Sequence, residues 1–165
     1  MSPRPSGELR RSATGRDLIL RRAFPSDIRE VWAAVTEPDR TAQWFASWTG
    51  EPGPGSTIQF TMTFEDGASA QEMKIVSCEP PHHLEVVAVD EYGSWHLEVR
   101  LTGTESGTSL ELTHHLDATA NPGEVGPGWE YYLDNLVAAQ QGRPLPSFDE
   151  YFPSQQPYYE ALDRA

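Results

Sequence analysis

Cysteine is nearly missing: Cys78 stands alone among 165 residues. No intramolecular disulfide can form, so the cysteine content does not point to an oxidising compartment. Long apolar runs are missing as well. No stretch of about 18 apolar residues occurs, so no transmembrane helix is expected. Positive charge is scarce beyond residue 40. Eight of the twelve Lys and Arg lie in residues 1–40, leaving Lys74, Arg100, Arg143 and Arg164 against nineteen acids over 41–165. With a net charge of −13, the chain repels a phosphate backbone, so neither nucleic acid nor an anionic membrane surface is an expected partner. The acidity serves solubility or meets a basic partner. No Gly-x-Ser-x-Gly elbow is present, and the Gly/Pro stretch "GEPGPGS" (50–56) lacks the lysine of a phosphate-binding loop. Cys78 precedes Glu79-Pro80-Pro81 at a strand end, with no helix N-terminus to activate it. The N-terminal "MSPRPSGELRRSATGRD" has arginines but no apolar stretch after them, so it does not read as a secretory signal, and a cytoplasmic protein is expected.

What the chain does have is aromatic bulk and clear periodicity. Five Trp, six Tyr and six Phe supply large packing groups for one domain with a sizeable core. Residues 1–16, rich in Pro, Ser, Gly and Arg, are expected to be a disordered arm. "DLILRRAF" (17–24) reads as a strand. "PSDIREVWAAVTEPDRTAQWF" reads as two short helices, the first capped by Ser26 or Asp27, the second opened by Pro38 and closed by Trp44 and Phe45. Ile58, Phe60, Met62 and Phe64 alternate, as a strand with one buried face requires. A two-residue turn at Asp66-Gly67 sets Phe60 opposite Met73, Met62 opposite Gln71 and Ile58 opposite Ile75. "LEVVAVD" is a further strand, and "GSWHLEVRLTG" and "GTSLELTHHLD" pair around "TESG". Only an odd index sum aligns their apolar faces, and pairing Leu101 with Leu110 puts Leu97 opposite His114 and His96 opposite His115. "NPGEVGPG" reads as a loop into "GWEYYLDNLVAAQQG" (128–142), a helix with Trp129, Tyr132, Leu133 and Leu136 on one face. Glu130 and Asp134 are expected to face water. The tail 143–165 holds Phe148, Tyr151, Phe152, Tyr158 and Tyr159, more aromatics than a solvated tail carries. It is expected to pack on the same domain or on a second copy of the chain, as a monomer or homodimer. Strands flanked by helices indicate an α+β fold, its antiparallel sheet curled around the last helix.

That order of elements, with "FPSDIREVWAAVTEPDRTAQWF", "GSTIQFTM", "CEPPHHLEV" and "GWEYYLDNLVAAQQG" in sequence, resembles the START-like helix-grip superfamily, also called SRPBCC. Within it the chain is most similar to the family homologous to the heat-shock chaperone ATPase activator. The likeness spans residues 17–142, and it implies a helix-grip domain there, followed by an aromatic extension. It also implies a cavity between the sheet and the last helix, which members use for lipids or other apolar molecules, for polyketide cyclisation, or alongside a chaperone-stimulating role.

The candidate pocket residues are Trp32, Trp44, Phe45, Phe60, Met62, Gln71, Met73, Trp95, Leu97, His114, Trp129, Leu133 and Leu136. The same side chains serve a packed core, and the resemblance is what makes a cavity expected. Gln71 and His114 share the inward face and are the groups able to orient a ligand, although a backbone carbonyl would satisfy either one as well. An enzyme would depend on His114 and on Asp90 or Glu91 at the rim. Adjacent His82-His83 and His114-His115 point to opposite faces of their strands and cannot chelate as pairs. His96 and His115 meet on the outer face, but two ligands without a third make a weak site, so no metal and no cofactor is expected. Three readings follow: a non-catalytic binder of a small apolar ligand, a protein-interaction module such as a chaperone cofactor, and a cyclase- or hydrolase-type enzyme.

Overall fold

The computed structural model describes residues 3–65, 67–90 and 93–164. One curved antiparallel sheet holds eight strands: β1 Glu8–Ser12, β2 Gly15–Phe24, β3 Ala46–Thr49, β4 Thr57–Met62, β5 Gln71–Glu79, β6 His83–Asp90, β7 Gly93–Thr104 and β8 Gly107–Leu116. Their spatial order is β1-β2-β8-β7-β6-β5-β4-β3. Helices α1 Ile28–Thr36 and α2 Pro38–Thr41 follow β2, and α3 Pro122–Gln140 follows β8. A 3-10 turn, Phe148–Glu150, leads to α4 Gln156–Arg164. This is the expected α+β helix-grip architecture, with α3 as the gripped helix.

Strict alternation builds the centre of the sheet. Along β8, Thr108, Leu110, Leu112, His114 and Leu116 are buried while the residues between them are half-buried. β7 and β8 pair Leu101 with Leu110, Leu97 with His114 and His96 with His115, the expected register and one that matches the apolar faces. Asp27 caps α1 by accepting from the Arg29 N–H at 2.9 Å, and Val31, Ala34 and Val35 form its buried stripe.

Five expectations change. Residues 1–16 are not a disordered arm throughout: β1 pairs with β2, setting Leu9 opposite Leu18. Its order comes from distant partners that composition does not reveal; the Gly7 N–H donates to the Tyr159 hydroxyl at 3.2 Å. The β4–β5 hairpin is not closed by a two-residue turn. Ile58 faces Met73 and Phe60 faces Gln71, two residues away from the expected register. The reason is that the end of β4 stays with the β3 side, where the Thr63 N–H donates to the Phe45 carbonyl at 3.1 Å. A slip of two preserves the faces, so Phe60 and Met73 still point inward. Gly67 keeps its positive φ of 71° and the Ala68 N–H still reaches the Glu65 carbonyl at 3.3 Å; Asp66 lies outside the described residues, as does Glu91.

Trp44 and Phe45 do not close α2, which ends at Thr41; they sit in the turn before β3, a strand the alternation did not suggest. Trp44 and Trp48 donate their indole N–H groups to the Ala34 and Thr36 carbonyls, each at 2.9 Å, and so dock this turn and β3 on α1. The long helix starts earlier than Gly128. Asn121 caps it, accepting from the Gly123 N–H at 2.9 Å, and Pro122 opens it, so "NPGEVGPG" forms its cap and first turns rather than a loop. Gly126 is there for close approach: a Cβ on it would sit 2.5 Å from the Tyr159 ring. Finally, Glu130 does not face water and Asp134 is only half-exposed, because β2, the N-terminal segment and the C-terminal tail cover them. Glu130 is 1% exposed. It takes the Arg22 guanidinium at 3.0 Å and two bonds from Ser6, at 2.6 Å from its N–H and 2.9 Å from its hydroxyl. Asp134 takes Arg22 Nε at 2.9 Å and the Tyr151 hydroxyl at 2.7 Å. The tail thus packs on its own domain, with Tyr151 and Tyr159 buried.

Two glycines of α3 give a paired prediction. Gly126→Ala forces its methyl into the Tyr159 ring and should cost roughly 1–3 kcal/mol by urea denaturation. Gly128, whose Cβ would meet nothing within 4 Å, should gain up to about 1 kcal/mol as Ala through helix propensity.

Candidate functional site

The space between α3 and the inner face of the sheet holds two adjoining cavities, of about 270 Å³ and about 160 Å³. Phe45, Phe60, Met73, Leu97 and Trp129 line both and form the partition between them. The larger cavity extends from this partition to Trp95 on β7, Ala88 on β6, Val125, Gly128 and Tyr132 on α3, and Met62 and Gln71 where β4 and β5 separate. Exposed Glu65 and Glu124 mark its solvent end. There the Tyr132 hydroxyl donates to the Glu65 carboxylate at 3.2 Å, tying the β4–β5 connection to the helix. Burial and the neighbouring Glu65 charge push the Tyr132 hydroxyl up, so it stays protonated and remains a donor. The smaller cavity runs toward α1, with Trp44, Trp48, Ile75 and Cys78 among its walls. Burial raises the Cys78 thiol above its ordinary range, so it is an apolar wall group rather than a nucleophile.

Nine of the thirteen sequence-selected residues lie on these walls: Trp44, Phe45, Phe60, Met62, Gln71, Met73, Trp95, Leu97 and Trp129. The other four do not. Trp32 packs half-buried against the core, and Leu133 and Leu136 are core side chains of α3. His114 is 2% exposed, enclosed by Trp95 stacked on it at 5.2 Å and by the Trp129 indole, whose N–H donates to His114 Nδ1 at 3.1 Å. That bond requires a neutral ring with its proton on Nε2. Burial holds the His114 pKa down, to about 4, with the nearby His115 and His96 adding to the effect and Asp117 opposing it. His114 therefore positions two wall indoles and does not itself reach the cavity. In the larger cavity, Tyr132, Glu65, Glu124, Val125, Gly128 and Ala88 are wall residues outside the expected set, and in the smaller one Trp48, Ile75 and Cys78 are among them. Tyr132 was legible on the helix stripe; Glu124 and Val125 were hidden by the early start of α3.

An antiparallel sheet gripping a long helix across an apolar cavity defines an SRPBCC-type helix-grip protein. Residues 25–141 match the family described as Activator of Hsp90 ATPase homolog 1-like protein, and the chain belongs to that family. The structure is similar to the crystal structure of CalU16 from Micromonospora echinospora, at 29% identity and a TM-score of 0.77, covering 98% of each chain. It is also similar to the product of gene BPP1335 from Bordetella parapertussis, at 21% identity and a TM-score of 0.71, covering 99% of this chain and 94% of that one. DynU16, a protein of the dynemicin biosynthetic locus, shares the fold at 22% identity and a TM-score of 0.67, over 80% of this chain and 50% of its own. No curated protein matches the sequence. No helix among the described residues is long and apolar enough to cross a membrane.

The lowered His114 pKa predicts a pH dependence. The unfolded ring takes up its proton near 6.5 and the folded one only near 4, so the unfolded state binds more protons between those values. Stability is complete above pH 6.5 and falls as pH drops through that window, by roughly 3 kcal/mol from this group at its limit. Urea denaturation from pH 7 to pH 4 should show a shallower loss in His114→Phe than in wild type; equal slopes would remove His114 as the source.

Proposed function

We propose that the chain binds a small apolar or lipid-like molecule in the cavity beneath α3. The supporting observation is the wall itself: a space of about 270 Å³ bounded by Phe45, Phe60, Trp95 and Trp129, with the Gln71 amide on the inward face. Such a site draws its affinity from apolar burial, about 25 cal/mol per Å², and its orientation from one or two polar groups. Gln71 is the orienting group, able both to donate and to accept. Among the described lining residues Glu65 and Glu124 are the charged ones and none is basic, which favours a neutral ligand over a carboxylate or phosphate. This argues against a free fatty acid and for an uncharged ring system or a lipid whose headgroup stays outside. A catalytic reading has less support, because His114, the one general base the sequence offered on this face, is already occupied by Trp129. A chaperone-docking reading rests on the family description alone.

The test is titration with the neutral fluorescent probe N-phenyl-1-naphthylamine, beside native mass spectrometry of freshly purified protein. Saturable probe binding should weaken at least about tenfold, a loss of about 1.4 kcal/mol, in Gly128→Leu, whose side chain enters open space at the wall. Its melting temperature should stay near that of wild type. Gln71→Ala should weaken polar ligands more than pure hydrocarbons. Probe binding indifferent to Gly128→Leu would overturn the assignment.

A further inference from the structure

The outer face of the sheet, on the side away from α3, carries imidazoles and carboxylates that cavity binding does not use. Glu85 on β6 stands directly opposite Glu98 on β7. His83, two residues before Glu85, shares its face. Next to them, His96 on β7 pairs with His115 on β8, and Asp17 on β2 pairs with His115. Two carboxylates at directly opposed positions of an antiparallel pair repel each other. They persist here because imidazoles converge on them. His83 Nε2 lies 2.8 Å from Glu98 Oε1, His115 Nε2 2.5 Å from Glu98 Oε2, and His96 Nε2 2.5 Å from Glu85 Oε2. Asp17 fixes the far nitrogen of His115 at 2.7 Å. One ligand atom each from His83, Glu85 and Glu98 lies within 4.8 Å of the others.

We propose that His83 Nε2, together with one oxygen each from Glu85 and Glu98, binds a divalent transition-metal ion of the zinc class on this face. A triangle of that size closes around one ion at bond lengths of about 2.0–2.2 Å after a small inward shift of the side chains. One imidazole with two carboxylates is a borderline nitrogen–oxygen set. It suits zinc, cobalt or nickel rather than calcium or magnesium, which take oxygen ligands. The ion takes the place of the proton shared between His83 and Glu98 and offsets the repulsion of the opposed carboxylates. His96 and His115 keep the remaining carboxylate oxygens and hold both groups in position. The side chains of His83, Glu98 and Glu85 are 10%, 17% and 22% exposed, enough for an ion and a completing water to reach them. Arg100 opposes binding, 3.3 Å from Glu98 Oε1, but its side chain is 59% exposed and can turn into solvent.

The experiment uses tag-free protein stripped with a chelator, titrated with Co(II) by visible absorption and with Zn(II) by calorimetry. One equivalent should bind saturably, with the absorption of a low-coordinate Co(II) centre. His83→Ala and Glu98→Gln should each weaken binding by at least about tenfold. Glu111→Gln, on the same face but paired with Arg21, should leave it unchanged. Independently of any variant, Zn(II) should shift the imidazole NMR signals of His83 in wild type and leave those of His114 on the inner face in place. No saturable binding by wild type, unchanged affinity in both ligand variants, or an unmoved His83 signal would each overturn the site and leave a network of ion pairs only.

Discussion

A carboxylate at 1% exposure in the middle of a long helix is costly unless every oxygen is engaged, and breaking such a pair typically costs about 3–5 kcal/mol. Glu130 meets that demand with Arg22 from β2 and with the backbone and hydroxyl of Ser6. Asp134, one turn further along α3 on the same face, shares the same guanidinium and adds Tyr151. A single cluster thereby joins β2, α3, the N-terminal segment and the C-terminal tail. It also sets the roll of α3 about its own axis. With Glu130 and Asp134 held on the β2 side, Trp129, Leu133 and Leu136 have to face the sheet.

A second clamp fixes the other side of that stripe. The Trp129 indole donates to His114 on β8, and Trp95 from β7 stacks on the same ring. Buried groups of this kind need their partners, and here the two satisfy each other. The cavity begins where these clamps end. Toward β4, β5 and β6 the helix contributes Gly128 and the sheet contributes Ala88 to the wall, so small residues leave the gap unfilled. The cavity is thus a product of helix position and residue size, and its chemistry is apolar because the one imidazole nearby is consumed in holding the walls.

How much of this was legible depended on how local each cause is. The β7–β8 register follows from two alternating runs with a short connection: face matching sets the parity, and the short turn leaves the pairing of Leu101 with Leu110. The β4–β5 register has the same parity but two candidate slips, and the contact that chooses between them, Thr63 with Phe45, comes from the turn before β3, outside the hairpin. Glu130 reads as a solvent residue because its partners are distant in sequence. Arg22 and Ser6 precede it by 108 and 124 positions, and no periodicity encodes them. Six of the nine candidate wall residues, Phe60, Met62, Gln71, Met73, Trp95 and Leu97, are on the cavity because alternation puts them on the inner face; His114 shares that face yet points into an indole pair instead. On the outer face the meeting of His96 and His115 was readable, while the convergence of His83, Glu85 and Glu98 needs the β6–β7 register as well.

The alternation of strand side chains explains how one sheet carries two unrelated chemistries. Adjacent residues of β8, His114 and His115, serve opposite faces, the first neutral and wedged between indoles, the second held between Asp17 and Glu98. Leu97 and Glu98 divide in the same way on β7, as do Leu84 and Glu85 on β6. A slip of one residue in any of these strands would carry carboxylates into the apolar cavity and leucines into the charged cluster. The desolvation penalty on one face and the lost ion pairs on the other would act together against it. Each face therefore specifies the register that the other one requires, and the cavity and the outer cluster are coupled through that register without sharing a single side chain.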